Sequence, residues 1–513
     1  MKEMKILLTG ASGFLGKHLM AALLKEGHII TAIGREEIKD PQIRWIEQDL
    51  LQEAAEEIKT QLSEIDAVVH LAAIMPSKVK GETTDIVLQN KIMTKNTLSL
   101  VASPKFFIFS SSVNVYPYSD SPVDESTPLE PVSDYGLSKK YSEEECLQWS
   151  REKPNTSLAI LRFSHLYGPA DTNTKMIDTL LRNAVLGKKS IMYGGGNDKR
   201  TYLFVDDAVC AILLYLERKQ SGIFNVGGVR AYSIREVIST LEELFKMKMS
   251  IEYSSSSSKD KGNSGNSIVS SQKCREVMGF VPKINLHQGF SQLLPKNILF
   301  DLDGPILEVK ERYYAVYKKF VMVSGGIPLS LHDYWEQKRL NTPLERLLEM
   351  SNCAGLVAEH KKYLSEHREE FSSLTLDKLQ PQAKEILAQL STKYNLYLIT
   401  LRRNKDNLFR QLEELGLLPF FKDVLSIAPG SESKWKHKVN LLNEHHLQNQ
   451  AGIIIGDTPT EILAGKKSGL TSIAISNGIR TKELLLQAEP HLIVSSIEEL
   501  SSLPFFRLNT FEN

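Results

Sequence analysis

The sequence predicts an α/β chain built on two successive, doubly wound, mostly parallel sheets. Three observations predict it. Short apolar runs alternate with helical patterns through most of the chain. Two of those runs end in a small or acidic motif that opens a new stretch, Lys5-Ile6-Leu7-Leu8 and Asn297-Ile298-Leu299-Phe300. The length of 513 residues also exceeds what one ordinary core holds.

The elements follow in order. After the first run, strand-like segments recur at 29–33, 67–70, 106–109 and 158–161. After the second, they recur at 396–399, 424–427, 452–455 and 471–475. Between them, 308–384 break the strand rhythm. Tyr313, Val316, Tyr317 and Phe320 fall at helical spacing there, which predicts a helical insertion. The stretch SSSSSKDKGNSGNS at 254–267 has little to bury and predicts a surface loop within the first domain. The domain boundary is expected near Leu294-Pro295, giving domains at 1–294 and 296–513.

Charge and cysteine content narrow the partners. Lys+Arg and Asp+Glu both total 62, so no global field draws the chain to nucleic acid or an anionic membrane. Cys146, Cys210, Cys274 and Cys353 are scattered, without zinc-ligand or disulfide spacing. The amino terminus lacks a signal-peptide pattern, and no apolar run is long enough to span a bilayer. A cytoplasmic protein is expected, with small-molecule partners and neither nucleic acid nor membrane.

Thr9-Gly10-Ala11-Ser12-Gly13-Phe14-Leu15-Gly16 follows the first strand, and Leu15, Leu19 and Leu23 then recur at helical spacing. Glycines between a strand and a helix let the backbone approach a pyrophosphate, which the free N–H groups of the helix N-terminus attract. From here the chain resembles the extended short-chain dehydrogenase/reductase family, which includes nucleotide-sugar epimerases and reductases. The motifs run in order through about 4–294. They are the glycine turn, Asp49-Leu50, His70-Leu71-Ala72-Ala73, Asn90 with Thr94, Ser110-Ser111-Ser112-Val113-Asn114-Val115-Tyr116, and Tyr135-Gly-Leu-Ser-Lys139. Leu161 to Pro169, Arg200 to Asp207, Phe224 to Gly228 and Lys273 to Pro282 continue them.

The resemblance implies a Rossmann-type sheet with a small substrate subdomain. It implies a cofactor held by Gly10, Gly13, Phe14, Leu15, Gly16, Asp49, Leu50, Leu71, Ala72, Ala73, Asn90, Tyr135 and Lys139. Tyr135 and Lys139, four apart, share one helix face. A phenol is a poor base at neutral pH. The Lys139 ammonium and an oxidised nicotinamide would both favour the phenolate, so Tyr135 can take a hydroxyl proton as hydride leaves. Ser112 matches the hydroxyl that steadies the reacting oxygen.

Three departures bear on function. The second strand ends Ala32-Ile33-Gly34-Arg35, without the acid that NAD-specific members place there. Arg35 tilts the cofactor from NAD toward NADP. His165 stands where epimerase-like members carry an Asn near the substrate diphosphate. Val113-Asn114 replace the acidic pair of sugar dehydratases, leaving epimerisation or carbonyl reduction. Arg200 is the expected grip on a substrate phosphate.

Phe300-Asp301-Leu302-Asp303-Gly304 places two carboxylates on one side of an extended segment at a strand end. Ile453-Ile454-Ile455-Gly456-Asp457-Thr-Pro-Thr-Glu461 ends a second strand in acids, and collected carboxylates suit Mg²⁺. This half, about 296–505, resembles the haloacid dehalogenase-like phosphatases. The resemblance implies a second Rossmannoid α/β domain whose helical insertion is a cap. Asp301 matches the nucleophile, Asp303 the general acid/base and Thr400 the phosphoryl-holding hydroxyl. Lys434 matches the neutralising lysine, with Lys436 and Lys438 close by. Asp301, Asp303, Asp457 and Glu461 match the metal site.

The expected protein is therefore a bifunctional enzyme. One head is an NAD(P)-dependent epimerase or reductase for a nucleotide-sugar or related sugar. The other is a Mg²⁺-dependent phosphatase for a small phosphorylated metabolite such as a sugar phosphate. Alternatives are a non-catalytic cofactor-sensing head and a sugar-phosphate mutase. Family members of the first type often pair, so a homodimer is expected.

Overall fold

The computed structural model describes residues 3–75, 85–169, 171, 175–193, 195–254, 265–428, 430, 432–447 and 452–506. The chain divides into two compact units, Met1–Leu181 with Lys189–Gln292, and Arg182–Lys188 with Leu293–Asn513. Most of the serine-rich stretch, 255–264, lies outside the described residues.

The first unit is built on seven parallel strands. They are β1 (Lys5–Thr9), β2 (Ile29–Gly34), β3 (Ile43–Glu47), β4 (Ala67–His70), β5 (Phe106–Ser112), β6 (Ser157–Phe163) and β7 (Gly222–Val226). Their order is β7-β6-β5-β4-β1-β2-β3, so the direction of winding reverses beside β1. Apolar side chains of β1, β4 and β5 are buried nearly throughout, as expected when helices cover both faces of a parallel sheet. Helix α1 (Phe14–Lys25) follows β1 and buries Leu15, Leu19 and Leu23. Helix α2 (Ile86–Leu100) packs along α3 (Asp134–Glu152). A smaller sheet of short strands, including Ser119–Val123, His165–Tyr167 and Lys199–Phe204, completes the unit.

One buried ion pair ties α3 to the main sheet. Arg162 of β6 grips Glu143 of α3 with Nε to Oε1 at 2.9 Å and Nη2 to Oε2 at 2.6 Å. Its Nη1 donates to the Tyr116 hydroxyl at 2.6 Å, which donates on to Asn225 Oδ1. Ser111 also donates to Glu143. A buried pair of this kind is stable only while both partners remain.

The second unit has six parallel strands, β8 (Asn297–Phe300), β9 (Asn395–Thr400), β10 (Asp423–Ser426), β11 (Gly452–Gly456), β12 (Thr471–Ile475) and β13 (Leu492–Val494). Their order is β10-β9-β8-β11-β12-β13. The predicted insertion consists of α4 (Lys310–Val323) and the helices Leu331–Arg339, Leu344–Glu349, Val357–His367 and Phe371–Leu374. It has its own apolar cluster, with Tyr317 stacked on Tyr334 at 4.3 Å. Its root is a two-stranded antiparallel ribbon, Leu307–Glu308 against Lys378–Leu379. The helix Ala383–Ser391 packs on β9, so it belongs to the core layer and not to the insertion.

The Glu143–Arg162 pair supports one prediction. Arg162→Met strands a buried carboxylate and should destabilise the first unit by about 3–5 kcal/mol. Thermal unfolding should show that unit's transition moving to lower temperature.

Candidate active sites

Both candidate sites lie at carboxyl ends of parallel strands, where connecting loops leave polar groups exposed. In the first unit a groove of about 460 Å³ runs along the ends of β1, β2 and β4. Gly10, Gly13, Arg35, Asp49, Leu50, Leu71, Ala72 and Ala73 line it, and so does Glu36. Gly10 has φ +70°, and a Cβ there would meet Ala72 N at 2.7 Å. Only glycine lets the turn close against the β4 loop and leave its backbone facing the groove. These residues fit a dinucleotide.

Phe14, Leu15, Gly16, Asn90, Tyr135 and Lys139, also expected at the cofactor, are not among the residues lining the groove. Phe14, Leu15 and Gly16 form the first turn of α1, with Leu15 and Gly16 buried. Asn90 is also buried, and its amide is spent inside the protein. Oδ1 accepts from Ile74 N at 2.7 Å, and Nδ2 donates to Ile74 O and to Ser138 Oγ at 3.0 Å. Asn90 therefore fixes the groove-lining segment to the helix that carries Tyr135. Thr9, His70 and Thr94 form a second tether, with Thr9 Oγ1 and His70 Nδ1 2.7 Å apart. Burial and the nearby Lys139 charge hold the His70 imidazole neutral, down to about 3.

Ser112 ends β5, and its Oγ caps the following turn by accepting from Asn114 N at 3.2 Å. The helix bearing Tyr135 packs on that turn, Val113–Val115. Lys139 Nζ donates to Ser110 O at 2.6 Å and stands 5.8 Å from the Tyr135 ring centre. Burial pulls the Lys139 ammonium down to about 8, so it is still mostly charged at neutral pH. Burial pushes the Tyr135 phenol up to about 12. Without further positive charge Tyr135 stays protonated, so the phenolate needs the cation a bound cofactor brings.

Beyond the turn, His165 and Arg200 line a small cavity with Asn114, Tyr116 and Tyr118. Burial, then the Arg200 charge, hold His165 neutral at about 3, and its Nε2 has no hydrogen-bond partner within the protein.

In the second unit, Asp301, Asp457 and Glu461 place carboxylate oxygens within 4.8 Å of one another. Gly304 has φ +108°, and a Cβ there would stand 1.9 Å from Asp457 Oδ2. The glycine of the Asp-x-Asp-Gly motif is thus required by the approach of the Asp457 carboxylate. Asp457 Oδ2 accepts from Ile479 N, while its buried Oδ1 has no partner. Burial and the charges of Asp301 and Glu461 push Asp457 well above the usual carboxylate range. An orphaned buried oxygen among three carboxylates fits a hard divalent cation.

The lysine that meets Asp301 is Lys438, one helical turn beyond Lys434. Lys438 lies on α5 (Lys434–Glu444), and its Nζ bridges Asp301 Oδ1 and Glu461 Oε1, both at 2.6 Å. Lys434 begins that helix and is exposed; the helix turns its fifth residue toward the sheet end, not its first. Glu461 Oε2 closes the capping box of α6 (Pro459–Lys467) on Thr458. Burial pushes Asp301 up to about 7 against the pull of Lys438, with Glu461 and Asp303 adding to the rise.

Asp303 does not join the three carboxylates. Arg312 Nη2 donates to Oδ2 at 2.6 Å and Arg402 Nη2 to Oδ1 at 2.5 Å. Burial works against ionisation, but the two guanidinium groups outweigh it and hold Asp303 well below the usual carboxylate range. Asp377 backs the same pair, with its Oδ1 2.9 Å from Arg312 Nε. Thr400 is buried at the end of β9.

Two α/β units, each with acid–base groups gathered at a sheet end, define a chain of two enzyme domains. Residues 6–227 match the NAD dependent epimerase/dehydratase family, and residues 298–475 match the haloacid dehalogenase-like hydrolases. The first match falls almost wholly in the first unit and the second in the second unit.

Relatives include an uncharacterized UDP-glucose epimerase YtcB of Bacillus subtilis, 26% identical over 56% of this chain and 96% of that protein. A UDP-glucose 4-epimerase of Lactobacillus helveticus is 26% identical over 55% and 92%. Among solved structures, MoeE5 in complex with UDP-glucuronic acid and NAD is 27% identical with a TM-score of 0.50. It covers 56% of this chain and 96% of its own. A UDP-glucuronic acid 4-epimerase from Bacillus cereus, bound to UDP-glucuronic acid and NAD, is 25% identical at the same TM-score. It covers 56% and 97%.

The unpartnered Asp457 oxygen supports a prediction. Titration calorimetry should detect Mg²⁺ or Mn²⁺ binding to the chain, weakened by about tenfold or more in Asp457→Asn.

Proposed function

We propose that the first unit epimerises a UDP-type nucleotide-sugar and that the second is a divalent-cation-dependent phosphatase for a small phosphorylated sugar. The observation that carries the first reading is the Ser112–Tyr135–Lys139 group, which stands beside a dinucleotide groove and a pocket holding His165 and Arg200. A nicotinamide cofactor bound in that groove would supply the hydride transfer from and back to the sugar. Tyr135 takes the hydroxyl proton and gives it back, Lys139 favours its phenolate, and Ser112 hydrogen-bonds the reacting oxygen. Arg200 supplies charge to the substrate's diphosphate. Glu36 in the groove offers a carboxylate to a ribose hydroxyl, and solved relatives hold NAD. Both favour NAD over the NADP that Arg35 alone suggested.

The second reading is carried by Asp301 between Lys438 and the Asp457–Glu461 carboxylates. Asp301 attacks phosphorus as the bond to the departing oxygen breaks and that oxygen leaves as the alcohol with a proton from solvent; water then cleaves the aspartyl phosphate. Asp303, ionised between Arg312 and Arg402, accepts the proton of that water. Lys438 neutralises charge on the transferred group, and Thr400 holds a phosphoryl oxygen. Mg²⁺ at Asp301, Asp457 and Glu461 would hold Asp301 in the ionised form that attack needs.

Two assays test these readings. The chain should interconvert UDP-glucose and UDP-galactose with no net absorbance change at 340 nm. Tyr135→Phe should lose at least about a hundredfold in rate. Stoichiometric consumption of reduced cofactor would show a reductase instead. Phosphate release from a panel of sugar phosphates with Mg²⁺ should vanish in Asp301→Asn; no release from any compound would refute the phosphatase.

A further inference from the structure

A second group of cations stands at the phosphatase site, and the phosphoryl chemistry does not use it. It centres on the ring of Tyr313, the residue after Arg312 on α4. Arg312 Cζ lies 5.2 Å from the ring centre, Lys338 Nζ 5.0 Å and Arg368 Cζ 5.7 Å. Arg312 is committed to Asp303. Lys338 and Arg368 come from the helical insertion and face the ring without such a commitment.

Two more cations close the group from the core. Arg480 Nη1 donates to Lys338 O at 2.9 Å, and its Nη2 to Asn341 Oδ1 at 2.8 Å, so its guanidinium is anchored beside the end of the helix carrying Lys338. It follows Ile479, whose N–H holds Asp457. Lys434 begins the helix whose next turn brings Lys438 to Asp301. Lys338 feels Arg480, Arg368 and Lys434, all cations, as its charged neighbours.

Among the described residues, Lys338, Lys434 and Arg480 make no ion pair with a carboxylate. Arg368 reaches only Glu369, at 3.9 Å. The other oxygen of Glu369 is taken up by Arg403 N and Asn404 N. Four like charges held together repel one another; the carboxylates that Arg480 and Lys434 feel, Asp457 and Glu461, belong to the three-carboxylate cluster. An anionic ligand relieves that repulsion. The phosphoryl group under transfer already has Lys438 and the carboxylate-bound cation site, so these four cations answer to a different group.

We infer that the phosphatase site takes a substrate whose departing part carries a second anionic group, a carboxylate or a further phosphate, gripped by Lys338, Arg368, Lys434 and Arg480. The inference rests on the phosphatase reading and names its substrate class. Lys338 and Arg368 belong to the insertion while Arg480 and Lys434 belong to the core, so the same anion also draws insertion and core together over the reacting phosphorus.

The test uses matched pairs of phosphate esters with the full-length chain and Mg²⁺. Fructose 1,6-bisphosphate is compared with fructose 6-phosphate for a phosphate source, and 3-phosphoglycerate with glycerol 3-phosphate for a carboxylate source. The anionic member of at least one pair should have a kcat/KM about tenfold or more higher. That ratio should fall by a similar factor in Lys338→Ala and in Arg368→Ala, and return in the charge-keeping Lys338→Arg. Release from both members of each pair with no preference would overturn the inference and leave the phosphatase standing. A preference that survives both alanine variants would also overturn it, by assigning the preference to other residues. No release from any compound would overturn the phosphatase reading and the inference together.

Discussion

A parallel sheet covered by helices on both faces has one place left for polar chemistry, the loops at the carboxyl ends of its strands. Both units obey that constraint. In the first, β1 hands over to the glycine turn, β4 to the groove-lining segment Leu71–Ala73, and β5 to Ser112. In the second, β8 hands over to Asp301, β9 to Thr400 and β11 to Asp457. The buried apolar strands beneath are the reason these groups are held firmly enough to act together.

Placing charge at such an edge is costly, and the two units meet the cost differently. The first keeps its buried charges hydrogen-bonded and the histidines at its site neutral. Glu143 has Arg162, Lys139 has the Ser110 carbonyl, and His70 and His165 are uncharged. The second concentrates charge. Lys438 sits between two carboxylates, Asp303 sits between two arginines, and Asp457 keeps one oxygen unused. The hydride transfer proposed for the first site asks for groups near neutrality, and the phosphoryl transfer proposed for the second asks for strong fixed charge.

Much of this was legible in the sequence because it depends on local order. Strand-then-glycine and strand-then-acid are contiguous patterns, and the helical insertion shows in the spacing of Tyr313, Val316, Tyr317 and Phe320. What escaped depends on which face of a helix turns inward. Lys438 was one of three lysines on a short stretch, and only the packing of α5 selects it over Lys434. Arg312 and Arg402 are ordinary basic residues until the fold sets both against Asp303. Asn90 is bound to Ile74 and Ser138, a tertiary fact without a local signature. Strand β3 was missed because Arg44 and Glu47 interrupt its apolar residues Ile43, Trp45 and Ile46, leaving no continuous buried run. Glu143 did carry a signal, since it continues the four-residue spacing of Tyr135 and Lys139 along one helix face.

The central claim is that one chain carries two separate catalytic sites, and the most direct measurement gives each nucleophile or base variant the other unit's assay. Tyr135→Phe should keep Mg²⁺-dependent phosphate release at the wild-type rate, and Asp301→Asn should keep UDP-sugar interconversion at its wild-type rate. Loss of both activities from either single substitution would contradict the claim and require a shared site.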